Sequence, residues 1–186
     1  TKILLFYMIH PLAKFLFCPC CGSAHFEVND FKSKRCTDCG FTFYHNSAAA
    51  TVAVILNSRN ELLVTRRAFN PAAGTLDLPG GFVDAGETAE EGIVREVEEE
   101  TGGKAVVEKF LFSLPNEYVY SDFIVHTTDL FFLCQLLDET ALIAHDDAAA
   151  LFWIPLADIR PSNFGLASIA AGVQKLLDSN ISYTPT

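Results

Sequence analysis

Residues 80–103 read GGFVDAGETAEEGIVREVEEETGG and hold eight acidic side chains against one basic one, Arg95. The chain as a whole carries a net charge of −10, so this one stretch supplies most of it. Like charges at helix-neighbour spacing repel, and such crowding needs either solvent or a cation. The local signals are helical. Thr88 to Glu91 has the S/T-x-x-E form of a capping box, and Gly102-Gly103 offers a C-terminal stop.

At about 100° per residue, Glu96, Glu100 and Glu99 fall on one narrow face. Ile93, Val97 and Val94 form an apolar stripe beside it, suited to docking on a sheet. Glu91 and Glu98 point elsewhere and read as solvated charges. Three carboxylates converging beside a buried stripe and a Gly-rich loop suit a hard divalent cation, which takes one or two carboxylates together with waters and substrate phosphates. The plain alternative is an ordinary charged helix face.

Outward from this stretch, the 186 residues are half hydrophobic and 12% aromatic, enough for a packed core. The acidity is local, and the chain lacks the broad basic stripe that nucleic acid requires. The apolar opening TKILLFYMIHPLAKFLF is too short and too interrupted to span a bilayer. It also lacks a secretory cleavage pattern. Cytoplasm is therefore the expected compartment. Met8 is the one methionine; translation is expected either to start there, with Thr1 to Tyr7 an extension, or to include residues 1–7 as a native strand.

Four of the six cysteines form two knuckles, Cys18-x2-Cys21-Gly and Cys36-x2-Cys39-Gly, 14 residues apart. Each knuckle offers two thiolates on a tight turn whose glycine permits positive φ. Together they suit one tetrahedral Zn²⁺, and a reducing compartment disfavours disulfides. Cys20 and Cys134 read as spare thiols.

Further strands are expected at TVAVILN, ELLVTRR, LDLPGG, KAVVEKFLFSL, HTTDLFFLCQLL and ALFWIPL, with a turn at NSRN. An amphipathic helix is expected at FGLASIAAGVQKLLDS. Strands interleaved with two helices predict a layered α/β domain behind a small cysteine module.

The acidic stretch completes a longer pattern: Gly81, Glu87, Arg95-Glu96-Val97, Glu99-Glu100 and Gly102, at the spacing G-x5-E-x7-R-E-U-x-E-E-x-G-U, where U is a large aliphatic residue. It resembles the Nudix hydrolase signature at eight of nine specified positions. Gly103 departs from the usual aliphatic, which is expected to loosen packing at the helix exit. The resemblance implies an α/β/α sandwich with a mixed sheet, preceded by a small zinc ribbon. The segments follow as a 1–17 extension, an 18–45 ribbon and a 46–186 hydrolase domain.

The resemblance also implies hydrolysis of a nucleoside diphosphate linked to another group. Glu96, Glu99, Glu100 and the Gly81 carbonyl would be the ligands for Mg²⁺ or Mn²⁺. Glu87 would pair with Arg95 to orient loop and helix, and Glu96 is open to a role as base or as ligand. Asp146 and Asp147 are candidates for an extra carboxylate or are solvated loop residues.

A ribbon directly before the box is similar to the NADH pyrophosphatase group and its relatives acting on FAD or ADP-ribose. That group carries an S-Q-P-W-type motif where this chain reads Ser113-Leu114-Pro115-Asn116. Strict NADH preference is therefore not expected. Tyr118 and Tyr120 could stack a ring or pack in the core. Arg66 and Arg67 could meet a phosphate or end a strand in solvent.

The implied partner is a nucleotide-containing small molecule. A membrane is excluded from the expectation, nucleic acid is weakly represented by Lys32, Lys34 and Arg35 alone, and a homodimer is left open. The competing function is a non-catalytic nucleotide-metabolite sensor on the same fold, with the ribbon as a protein or nucleic-acid contact. The intact Glu96, Glu99 and Glu100 favour the enzyme.

Overall fold

The computed structural model describes residues 10–120, 123–138, 142–144, 148–179 and 181–182, with the backbone alone at 118–120. The expectations for residues 1–7 and for Asp146 and Asp147 lie outside the described residues. The chain divides into two compact units, Thr1–Ser47 and Ala48–Thr186.

In the first unit, β1 (Phe26–Asp30), β2 (Ser33–Cys36) and β3 (Thr42–Tyr44) form an antiparallel sheet in that order. Gly22 and Gly40 both turn at φ 76, the left-handed region that a side chain resists. Their N–H groups donate to Cys18 O and Cys36 O at 2.8 and 3.0 Å, which closes the two knuckles. The buried core is Cys18, Phe26 and Cys36, with Phe43 packed against it. A core this small does not by itself outweigh chain entropy.

The second unit runs β4 (Ala48–Ile55), β5 (Glu61–Arg67), β6 (Leu76–Asp77), α1 (Ala89–Thr101), β7 (Ala105–Tyr120), β8 (Phe123–Leu136), β9 (Ala148–Pro155) and α2 (Ala167–Asp178). One sheet has the order β4-β8-β7, with β4 parallel and β7 antiparallel to β8. The other, β6-β5-β9, is antiparallel. The mixed pairing is the expected one. A bridge between Leu56 and Leu62 joins β4 to β5 across the Asn57–Asn60 turn. The buried Asn57 side chain holds that turn by accepting from Arg59 N and Glu61 N and donating to Glu61 Oε2.

Alternation along β4 sends Val52, Val54 and Leu56 into one cluster and Ala53 and Ile55 into another. The first cluster receives α2 through Ile169, Val173 and Leu176, and the second receives α1 through Ile93 and Val97. Sheets between two helices give the layered sandwich. Ile93 and Val97 are fully buried, worth about 1.5–3 kcal/mol each. Gly172 lets α2 lie against the Phe131 ring, where a Cβ would overlap it.

Two local expectations are corrected. The strand expected to stop at Leu114 continues to Tyr120, and its partner starts at Phe123 instead of His126. Pro115 cannot donate to a ladder, but β7 is an edge strand, where that loss is tolerated. The exit of α1 is not loose at Gly103. Gly103 is buried, its N–H donates to Thr101 Oγ1, and a Cβ there would come within 2.7 Å of Leu142 and 3.0 Å of Leu136. Those two leucines occupy the space an aliphatic side chain would fill. Among the described residues, no helix is long and apolar enough to cross a membrane.

Candidate active site

Helix α1 begins with both halves of a capping box. Thr88 Oγ1 accepts from Glu91 N, and Glu91 returns its carboxylate to Thr88 N at 2.8 Å. Glu91 is thus exposed but engaged, beyond the solvated charge expected of it. Gly102 ends the helix at φ 68, with its N–H on Glu98 O. This rigid segment presents Arg95, Glu96, Glu99 and Glu100 to the loop that precedes it.

Arg95 is the centre of the constellation. It grips Glu87 in two bonds, Nε to Oε2 at 3.1 Å and Nη2 to Oε1 at 2.6 Å. Its Nη1 donates to Glu96 Oε1 and Glu99 Oε2, both at 2.9 Å, and Nη2 also reaches the Phe82 carbonyl at 3.0 Å. A planar guanidinium suits this fork. Arg95 holds the Glu87 carboxyl below its ordinary value, helped by the Asp84 N–H. Glu87 in turn, ahead of Glu96 and Glu99, pushes the guanidinium pKa up.

Glu100 is buried at 8% exposure and accepts from Gly80 N at 3.2 Å. Glu96 lies against Gly81, where a Cβ would overlap its carboxylate. Glu99 is half exposed and Glu98 is exposed. The Gly81 carbonyl faces β4 and accepts from Thr51 N at 2.7 Å and, more weakly, from Thr51 Oγ1 at 3.4 Å. These are hard oxygen donors of the kind Mg²⁺ takes. Among the described residues, however, only Cys18, Cys21, Cys36 and Cys39 bring three or more ligating atoms within 4.8 Å of one another. Arg95 lies between Glu96 and Glu99 and Glu100 turns to Gly80, so the carboxylates line the loop without closing into a knot.

The same loop walls a cavity of about 400 Å³ bounded by Gly80, Gly81, Thr51, Leu78 and Ile169. Of the two strand-end arginines, Arg67 lines it, donating to Asp77 and to Pro71 O. Arg66 donates to Gly74 O at 2.7 Å and stacks over Phe152 at 5.2 Å. Tyr118 and Tyr120 are in β7, and their side chains lie outside what is described. Sequence reasoning missed the buried polar floor of the cavity, Asp77, Asn116, Thr127 and Asp129. Its signal was an acid inside an apolar run, as in LDL and TDLFF. Burial pushes the Asp77 carboxyl up against the pull of Arg67. Asp129 accepts from Thr127 and from Ser168, which fastens the first turn of α2 to β8.

None of the six cysteines is in a disulfide, and five of them lie in the N-terminal unit. Cys18 and Cys39 Sγ are 3.7 Å apart, as are Cys21 and Cys36 Sγ. Four thiolates about 2.3 Å from one Zn²⁺ would lie about 3.8 Å apart along tetrahedral edges, so the donor set fits. The Cys39 N–H pulls Cys36 down to about 7. Cys39 is pushed up to about 12, chiefly by Cys21, although the Phe41 N–H acts to lower it. Burial holds Cys134 at about 12, an inert core thiol, and Cys20 is exposed.

The chain is 50% identical over 54 residues to the ADP-ribose pyrophosphatase of Methanocaldococcus jannaschii, covering 29% of this chain and 32% of that protein. It is 33% identical over 94 residues to the NAD-capped RNA hydrolase NudC of Haemophilus influenzae, covering 50% and 36%. These matches span about a third of each relative. In fold, it is similar to the crystal structure of a NUDIX hydrolase from Nitrosomonas europaea, with TM-score 0.72 at 19% identity, covering 88% of this chain and 91% of that one. The family described as NUDIX domain matches residues 46–173, the segment that carries α1, its acidic face and the cavity. With well over half its length inside that match, this chain belongs to the NUDIX domain family.

Proposed function

We propose that this chain is a metal-dependent hydrolase of the diphosphate linkage in a nucleoside diphosphate joined to a second group, of the ADP-ribose, FAD or NADH type. The observation that carries the reading is Arg95, which binds Glu87, Glu96 and Glu99 at once beside the Gly80–Gly81 loop and its cavity. Glu96, Glu99, Glu100 and the Gly81 carbonyl would hold Mg²⁺ or Mn²⁺. When bound, such a metal neutralises phosphate oxygens and acidifies a water.

The chain's own residues do the rest. Glu87 and Arg95 tie the loop to the helix and keep the carboxylates aimed. Glu96, nested against Gly81, would ligate the metal or take a proton from the attacking water. Water adds to one phosphorus, its bond to the bridging oxygen breaks, and two phosphate monoesters leave. Arg67, which lines the cavity, and Tyr118 or Tyr120 on β7 would bind the flanking groups. Cys18, Cys21, Cys36 and Cys39 would hold one structural Zn²⁺, since four protein ligands leave no open position. Reduced thiols of this kind suit the cytoplasm.

The test is a panel of ADP-ribose, FAD, NADH and nucleoside triphosphates with Mg²⁺ or Mn²⁺, with and without EDTA, read by product analysis. AMP plus the second phosphate ester, formed only with metal, supports the reading. Preference for triphosphates over every dinucleotide overturns the substrate class. Binding with no turnover of any member leaves the sensor function in its place.

A further inference from the structure

Arg95 is the one basic side chain among the eight acidic ones of residues 80–103, and its guanidinium has two working edges. Along one, Nε and Nη2 bond the two oxygens of Glu87 at 3.1 and 2.6 Å, and Nη2 adds the Phe82 carbonyl at 3.0 Å. That edge ties the loop to the helix. At the other, Nη1 donates to Glu96 Oε1 and Glu99 Oε2, both at 2.9 Å. Glu96 is the next residue and Glu99 lies one turn on, so the helix itself sets this second grip.

Glu96 and Glu99 are also two of the three carboxylates proposed as ligands of the divalent cation. A cation shared by both must lie between them, and Nη1 lies there. Mg²⁺ holds oxygen at about 2.0–2.1 Å, closer than Nη1 does, and it repels a guanidinium at contact distance. A planar guanidinium pinned along its Glu87 edge cannot turn one nitrogen away by itself, so the carboxylates have to leave it. The Glu99 side chain is 48% exposed and that of Glu96 14%, so Glu99 has the more room to move.

We propose that Arg95 Nη1 and the divalent cation compete for Glu96 and Glu99, so that Arg95 is a positioning residue with a second role, an internal counterion that the metal displaces. The grip on Glu87 and Phe82 stays while the carboxylates pass from Nη1 to the metal. Arg95 thereby holds the acidic face together and also lowers its affinity for a cation. The proposal rests on the hydrolase reading for the metal, but it concerns binding and can fail by itself.

The test titrates MgCl₂ into the full chain, followed by calorimetry and by ¹⁵N NMR of the arginine side chains, with the Arg95 signals assigned by their loss in Arg95→Lys. At saturating Mg²⁺ the Nη1 protons of the parent should exchange faster with water, while the Nε proton on Glu87 stays protected. Arg95→Gln and Arg95→Lys both lose the fork to Glu87 and differ in charge. Arg95→Gln should bind Mg²⁺ about three- to tenfold more tightly than Arg95→Lys, the effect of removing one positive charge a few ångströms from a partly exposed site. A role confined to holding the loop predicts equal affinities. Nη1 protons unmoved at saturating Mg²⁺, as when the metal takes the other oxygen of each carboxylate, overturn the proposal, and so does Arg95→Gln binding no tighter than Arg95→Lys. Mg²⁺ binding with the Nη1 bonds released but no hydrolysis of any diphosphate defeats only the hydrolase reading. Hydrolysis with those bonds intact defeats only the competition. Failure of the parent and both variants to bind Mg²⁺ removes both.

Discussion

The cysteine knuckles and the acidic face of α1 both crowd groups that are anionic when they bind metal, and they differ in what balances the charge. The four sulfurs lie within 4.8 Å of one another, and their neighbours pull Cys36 down to about 7 and push Cys39 up to about 12. On α1, the chain supplies its own cation, since Arg95 binds Glu87, Glu96 and Glu99. The helix also has two large hydrophobic clusters in its unit, where the knuckles have one cluster of three buried residues. A metal held at the knuckles would therefore act on folding, and one held at α1 would act on chemistry.

The largest expected effect tests the first half of that contrast. Removing the metal with a chelator, or Cys36→Ser, should unfold the N-terminal unit, because structural zinc contributes on the order of 10 kcal/mol to such modules. Elemental analysis should find one zinc per chain, and hydrogen exchange should show protection lost in β1–β3 and kept in β4 and β8. Equal loss of protection in both units would break the comparison.

Next in size is Glu100→Gln, which should keep the fold and lower turnover by on the order of 10²-fold or more, since substitutions even one shell away from a metal cost 10–100-fold. Glu98→Gln, on an exposed side chain, should leave steady-state kinetics unchanged. Matching losses in the two variants would show that the carboxylates do not act as one face.

Arg95→Met asks whether the internal cation stabilises the domain as well as aiming the carboxylates. Glu87 would lose both of its bonds to the guanidinium, at a cost of about 2 kcal/mol. Tm should fall by about 4–8 °C in a chain this size. Added Mg²⁺ should recover part of that loss by replacing the missing positive charge. Thr88→Ala removes one half of the capping box and should cost about 1 kcal/mol, read by denaturant titration.

The smallest effect is at the knuckle surface, where His25 pairs with Asp38 at 3.1 Å. The hydrogen bond to Asp38 raises the His25 pKa above 6.5, and Ser23, then His25, lower that of Asp38. The raised His25 contributes stability that is full below pH 6.5 and lost as pH rises through its folded value. Asp38 contributes above its unfolded value and loses that contribution as pH falls through its depressed folded one. The pair thus matters most in mildly acidic solution. NMR titration should show the His25 pKa returning toward 6.5 in Asp38→Asn, and an unmoved value would remove the pair.

What could be read from the sequence was local. The cap of α1 needs only Thr88, Glu91 and Gly102, residues within a turn of the backbone groups they satisfy. The buried stripe Ile93 and Val97 follows from helical period, and the knuckles follow from two Cys-x2-Cys-Gly turns. Each depends on contacts a few residues apart, so spacing alone carries the information. Strand ends were harder to place. Pro115 looked like a terminator because whether β7 lies at an edge depends on which strand pairs with which, and spacing does not encode that.

Residue types in one stretch of chain by themselves determined the family pattern, the acidic helix and the thiol cluster. Only the tertiary structure decided that Arg67 meets Asp77, that Leu136 and Leu142 close over Gly103, and that Asn116 Oδ1 is buried without a partner among the described residues while its cross-strand neighbour Thr127 is bound to Asp129. Those facts join strands and loops distant in sequence. Whether a buried polar atom finds a partner depends on donors brought from elsewhere in the chain, and their arrival is set by packing and strand register.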